Sequence, residues 1–284
     1  MTAAVVVPER FEIWRVFERM AGVLRRNLGS LALIALILAA APRAIGALVL
    51  LLGAHGGDWN VTSYDNGADA VRLVLRHHGP AFFVLGVIGV VSMLLLQPAL
   101  LFGIVKDLAG RRATLGEMLA VAVRTALPVL AVGVIAWIAI VAGLCLVVVP
   151  GVIVGLVLCV ATPARVLEGP GIMRALSRSA DLTSGYRWSI LGFFVILGFI
   201  WILASTVYGA LVSSTHLAAG VSWYEHIGRE ERLAWWNWPT LLILSPLAHA
   251  IAALVGAAAV ASIYFELRFV KEGVAPATLL ADFD

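Results

Sequence analysis

The sequence predicts an all-α, polytopic integral membrane protein: six transmembrane helices, with amphipathic helices lying in the membrane plane on the cytoplasmic face. Three observations carry that reading. Apolar residues make up 62% of the 284 positions. Mean hydropathy is +1.00. Six long apolar stretches alternate with polar segments too short to hold a soluble core, so a bilayer must solvate most of the chain. Residues 1–284 read as a single membrane domain: an N-terminal amphipathic segment at 1–28, a six-span bundle at 31–265 and a cytoplasmic tail at 266–284.

A helix needs about 20 apolar residues to cross a hydrocarbon core of about 30 Å. The spans fall at 31–52, 80–105, 126–149, 151–166, 188–212 and 239–265. The first could be mistaken for a cleaved leader, because Ala39-Ala40-Ala41 resembles a small-residue cleavage site. The region before it is too long and carries acids, and the apolar run resumes beyond Arg43, so it reads as an uncleaved anchor. The third and fourth runs meet at Val149-Pro150-Gly151 with no polar loop. A single helix across both would be about 50 Å long, more than tilt can absorb. A tight hairpin at Pro150-Gly151 is the expected solution, since proline lacks a backbone donor and glycine permits positive φ.

Charge sets the direction. Arg10, Arg15, Arg19, Arg25 and Arg26 precede the first span, and Lys106, Arg111, Arg112 and Arg124 separate the second from the third. Arg165, Arg174, Arg178 and Arg187 follow the fourth, and Arg268 and Lys271 follow the sixth. The opposite side holds Arg72, Arg76, Arg229 and Arg232. The positive-inside rule then puts both termini in the cytoplasm of a bacterial inner-membrane protein. Trp59, Trp223, Trp235, Trp236 and Trp238 fall near the outer face, as an interfacial belt would.

Three segments share one design, a basic amphipathic stretch leading into an outward-going span. In 11–28, Phe11, Trp14, Phe17, Ala21 and Leu24 recur at helical spacing. In 115–127 the apolar side is Leu115, Met118 or Leu119, Ala122 and Ala126. In 172–186 it is Ile172, Ala175, Leu176, Ser179 and Leu182. Each is expected to lie at headgroup level with its arginines near the phosphates. The chain thus parses as three units of in-plane helix, outward span and returning span. Ile104-Val105-Lys106-Asp107-Leu108 echoes Ile263-Tyr264-Phe265-Glu266-Leu267 at the ends of returning spans.

Several short phrases occur in order between Gly110 and Gly273: Gly110-Arg111-Arg112 with Gly116-Glu117, then Pro150-Gly151, Glu168-Gly169 and Ala175-Leu176-Ser177-Arg178-Ser179. Tyr264-Phe265-Glu266-Leu267-Arg268 and Glu272-Gly273 complete the set. In these phrases the chain resembles a bacterial membrane family named after the membrane domain of some glycerophosphodiester phosphodiesterases, and its stand-alone relatives. The resemblance implies a helical membrane fold and little chemistry. In the namesake, hydrolysis belongs to a separate soluble barrel with acidic and histidine metal ligands, which this chain lacks, so phosphodiesterase activity is not expected here.

Among polar residues, Arg43 lies inside the first span directly after Pro42. A charge at that depth costs about 2.5–3.5 kcal/mol on insertion scales. It therefore reads as a contact for a lipid phosphate or anionic substrate, or as a snorkelling or structurally paired arginine. Gln97-Pro98 interrupts the second span, and His249 lies near Ser245-Pro246 in the sixth. Such polar groups repair proline gaps between helices or line midplane sites. Arg111, Glu117, Glu168, Arg178, Glu266 and Arg268 stand at span ends and form a candidate cytoplasmic ion-pair network, with the Glu266–Arg268 turn locked against 175–179. His55, His77, His78, His216 and His226 fall on the outer side near Asp58 and Glu225, without zinc-type spacing, so no metal site is expected. Cys145 and Cys159 sit in apolar runs at unequal distances from Pro150 and should not pair.

No catalytic set or cofactor motif stands out, so the expected role is non-enzymatic: organising lipid or a membrane partner protein. The alternative is a small transporter or lipid-flipping carrier with a site near Arg43. A net charge of +3 gives no reason to expect nucleic acid. The topology is directly testable. Reporters fused after Asp284 and within 56–66 should report opposite sides of the membrane, and the same side for both would remove the hairpin or another span.

Overall fold

The computed structural model describes residues 10–56, 67–108, 110–169, 171–218 and 240–273, with side chains described over 10–49, 83–108, 110–169, 171–210 and 242–273. Asp58, Trp59, Trp223, Glu225, His226, Arg229, Arg232, Trp235, Trp236, Trp238 and the tail past Gly273 lie outside them. So do the side chains of His55, Arg72, Arg76, His77, His78 and His216.

Every described element is helical: α1 Ile13–Ala35, α2 Ala41–Gly56, α3 Gly67–Leu108, α4 Leu115–Leu146 and α5 Val148–Leu158. There follow α6 Ala161–Glu168, α7 Ile172–Thr183, α8 Arg187–Ala218 and α9 Ser245–Glu272. Wider π-turns at Leu36–Ala40 and Thr240–Leu244 precede α2 and α9. Six helical runs among the described residues are long and apolar enough to cross a membrane.

The chain folds as two compact units, one of 1–35, 94–197 and 251–284 and one of 36–93 and 198–250. In the first, Val16 of α1, Val105 of α3, Leu182 of α7, Phe193 of α8 and Ile263 and Tyr264 of α9 share one core. Phe17 stacks obliquely on Phe193 with centroids 4.6 Å apart, which seats α1 along α8. In the second unit, α2 packs against the Thr240–Leu244 turn.

Local chemistry explains the breaks. Asn27 leaves helical geometry (φ −124°, ψ 26°), so the amphipathic start of α1 is kinked away from the apolar run that follows. Each π-turn ends two residues before a proline, Pro42 or Pro246. Proline cannot donate to the carbonyl four residues back, and the widened turn absorbs that lost bond.

The hairpin between the third and fourth runs differs from expectation. The turn is at Val147, whose extended backbone (φ −161°, ψ 152°) ends α4 and begins α5, whereas Pro150 and Gly151 lie inside α5. Proline in a first turn sacrifices only a donor that has no helical partner anyway. Gly151 serves a different purpose from the one the sequence suggested. A Cβ on Gly143 would meet the Gly151 Cα at 2.8 Å, and one on Gly151 would meet the Leu144 backbone nitrogen at 2.7 Å. The two glycines let the antiparallel helices touch backbone to backbone.

The second amphipathic segment also differs. It is not a separate helix but the first third of α4, which runs on through Pro128. Its buried residues Met118, Ala122, Val129 and Val132 form one continuous stripe, so packing gives no reason for a break.

The glycine contact makes a prediction. Gly151→Ala should destabilise the protein by about 1–3 kcal/mol through overpacking against backbone that cannot yield. Gly133→Ala, on the same hairpin but with nothing near its Cβ position, should be neutral or slightly stabilising. Thermal unfolding of the two variants in detergent compares them; equal midpoints would remove the backbone contact.

Candidate functional site

The charged residues of the first unit gather where α1, α3, α4, α6, α7 and α9 start or end. Three left-handed glycines shape these ends. Gly110 (φ 76°) closes α3: its N–H donates to the Asp107 carbonyl and that of Arg111 to Lys106, both at 2.9 Å, a Schellman cap. Gly169 and Gly273 close α6 and α9 in the same conformation, with φ 64° and 66°. After the first cap, Thr114 opens α4 with a capping box, its hydroxyl accepting from Glu117 N–H while Glu117 accepts from Thr114 N–H.

Just inward of these caps stand acids, and basic side chains meet them in three charge-balanced groups. In the first, Glu266 is fully buried in the run Tyr264, Phe265, Glu266, Leu267, all at 0–1% exposure. Arg15 Nη1 donates to its Oε1 at 2.8 Å. Arg19 Nη1 lies 2.9 Å from its Oε2, an ion contact too oblique to be an aligned hydrogen bond. Glu12 pairs with Arg15 at 2.8 Å, and Arg19 also covers the Phe269 ring at 5.4 Å.

The second group joins α6, α7 and α9. Arg178 Nε donates to both Glu168 oxygens at 3.0 and 3.1 Å, and its Nη2 pairs with Glu272. Arg268 donates to Glu272 at 2.8 Å and to the Tyr264 hydroxyl at 3.3 Å, while that hydroxyl donates to Glu168 at 2.6 Å. Burial alone would lower the Arg178 pKa, but the hydrogen bonds and charges of Glu272 and Glu168 outweigh it and raise it. Ser179 fixes the same helix differently, its hydroxyl donating at 2.6 Å to the Val157 carbonyl at the end of α5. The third group is more exposed: Lys106–Glu117 at 2.8 Å and Arg26–Asp107 at 3.0 Å.

The sequence-stated residues therefore sort as follows. Glu168, Arg178 and Arg268 share the second group, Glu117 belongs to the third and Glu266 to the first. Arg111 stands at the α3 cap. The expected lock of 266–268 on 175–179 takes a different form: Glu266 turns to α1, and α7 and α9 are linked through Glu272, through Glu168 and by Lys271 on the Asp181 carbonyl. Gln97 lies in the first unit, exposed on α3. Arg43 and His249 both lie in the second, close enough that the charge of one is felt by the other.

The amphipathic face of α1 needs correcting. Phe11, Val16, Val23 and Asn27 are buried, while Trp14 is 71% exposed and Ala21 is exposed. Apolar residues cover a broad half of the segment, wide enough that periodicity allows more than one inward direction. Pairing Arg15 and Arg19 with Glu266 selects the face that carries Val16 and Val23. The missed residues, Arg15, Arg19, Arg26, Asp107, Tyr264 and Glu272, left one usable signal: two arginines at i, i+4 beside that face. Among the described residues no cluster of metal-type ligands forms. Cys145 and Cys159 are unpaired.

Glu266 offers the sharpest stability test. Glu266→Ala leaves two arginines facing a vacated buried site and should cost about 3–5 kcal/mol. Glu117→Ala removes a half-exposed acid and its cap, and should cost about 1–2 kcal/mol. Chemical or thermal unfolding in detergent ranks the two, and a smaller loss for Glu266 would demote its pair.

No curated protein and no solved structure matches the chain. One family does, over residues 64–271, which take in Glu168, Arg178 and Arg268 of the second group, Lys106, Asp107 and Glu117 of the third and Glu266 of the first. By that match the chain belongs to the family described as Domain of unknown function (DUF7847).

Proposed function

We propose that this chain is a non-catalytic multi-pass protein of the bacterial inner membrane that organises anionic lipid, or a membrane partner, at its cytoplasmic face. One observation carries the reading. Six of the eight acids among the described side chains are engaged within the charge-balanced groups, whereas Arg10, Arg25, Arg112, Arg124 and Arg174 are exposed without an acidic partner among the described residues. The surplus positive charge accompanies exposed Trp14, Met173 and Trp188 (71%, 69% and 83%). Tryptophan with arginine at a helix surface is the composition that seats an amphipathic helix at headgroup level. Gly110-Arg111-Arg112, Glu168-Gly169, Arg178 and Tyr264–Arg268 fall on the caps and clasps that hold these helices, which suits a scaffold.

A carrier with a site near Arg43 is the second reading, favoured by a charge set inside an apolar helical run directly after Pro42.

Spin-labelled lipids test the leading role. The protein should immobilise phosphatidylglycerol in preference to phosphatidylcholine. Replacing Arg25, Arg112 and Arg174 together by glutamine should weaken that preference, at about 1 kcal/mol per residue. Equal immobilisation of both lipids by the unaltered protein would refute the lipid reading.

A further inference from the structure

We propose that Lys271 and Arg187, set beside the Tyr186 ring where α7 turns into α8, form a discrete site for the phosphate of one anionic phospholipid. The site rests on the lipid role proposed above and gives that role a defined place on the protein.

Contacts between distant segments assemble the turn. Gly185 (φ 84°) redirects the chain after α7, and α8 begins two residues later. Lys271 reaches the turn from the end of α9. Its ammonium donates to the Ser184 hydroxyl at 2.7 Å and to the Asp181 carbonyl, and it lies 5.9 Å from the centre of the Tyr186 ring. The Phe11 ring meets the same tyrosine at 6.0 Å. The segment leading into α1, the α7–α8 turn and the end of α9 thus converge on one aromatic side chain. Arg187 follows that tyrosine in the chain, and Arg10 precedes Phe11.

Two donors at this turn are left over. An ammonium has three N–H bonds, and Lys271 spends two on these oxygens. Arg187 is half-buried, and its Nε is enclosed without a hydrogen-bond partner. An enclosed N–H with no acceptor is costly and rare in a folded chain, so it points to an acceptor from outside. Lys271 also lies near enough to Arg187 to feel its charge. Like charges held together by fixed contacts repel, and an oxyanion beside both removes the repulsion and satisfies both donors.

The local charge balance agrees. Arg178, Arg268, Glu168 and Glu272 neutralise one another in the second group. Asp181 is then set against Lys271, Arg187 and Arg10, which leaves a positive surplus. The first turn of α8 adds no acid to offset it.

The surface that follows along α8 makes the anion a lipid. Trp188 (83% exposed) and Val195 (61%) stand seven residues apart on one stripe of the helix, leading away from the charges. A tryptophan beside cations at the head of an apolar helix suits a headgroup at the cations and an acyl chain along the stripe. Free phosphate would use the cations alone.

Native mass spectrometry of the full chain in detergent tests this, with phosphatidylglycerol, phosphatidylcholine and inorganic phosphate titrated separately. The unaltered protein should bind a first phosphatidylglycerol about tenfold or more tighter than phosphatidylcholine. Arg187→Gln should weaken that first binding about fivefold, and Arg187→Gln with Lys271→Gln about 25-fold. Arg187→Lys should keep part of it. Circular dichroism checks each variant for folding, and if the double variant does not fold, Arg187→Gln alone decides. Undiminished first binding in folded Arg187→Gln overturns the site and leaves the lipid role of the basic face standing. Equal retention of the two lipids by the unaltered protein overturns both. Inorganic phosphate bound as tightly as phosphatidylglycerol overturns the assignment to a lipid.

Discussion

The first unit depends on a carboxylate that has no contact with solvent. Glu266 lies on a stretch of α9 buried on all sides, where an ionised acid could persist only with close countercharges. Arg15 and Arg19 supply them from the other end of the sequence, one turn apart on α1. Their spacing fixes the rotation of α1, and that rotation places Val16 and Val23 in the core and Trp14 outside. An apolar contact in place of Glu266 would accept several rotations of a helix whose apolar face is this broad. The ion pair accepts one.

The same device recurs with different residues. Three of the long helical runs end in an acid that meets an arginine from another segment: Asp107 with Arg26, Glu168 with Arg178, Glu266 with Arg15 and Arg19. Left-handed glycines close three of these ends at nearby positions. The echo between Lys106-Asp107-Leu108 and Phe265-Glu266-Leu267 thus has a physical content, since both acids fasten α1. Cap and clasp work together. The glycine stops the helix, and the acid just inside it receives the basic segment that the chain or a distant part of it provides.

Much of the helical layout was legible in the sequence because it follows from local rules. Apolar runs of sufficient length give the six long helices, and Thr114 with Glu117 signals the start of α4. What was misplaced shares one cause. The hairpin turn was assigned to Pro150-Gly151 because proline and glycine are turn-formers in isolation. In the structure their value lies in packing, Gly151 against Gly143 and Pro150 in a first turn, and the break moves to Val147. Likewise the amphipathic stretch 115–127 is not set apart from the span that follows, since one buried stripe runs on past Pro128.

The sequence alone determined that this is an all-helical chain with six runs able to cross a bilayer and with basic charge concentrated in alternate segments. Those are properties of composition and spacing, readable without knowing what touches what. Tertiary structure decided which charges are spent on one another and which are left over. Arg15, Arg19 and Arg178 find acids, while Arg10, Arg25 and Arg174 meet none among the described residues. A charge has the same hydropathy whether paired or not, and only the folding together of segments up to 251 positions apart distinguishes the two.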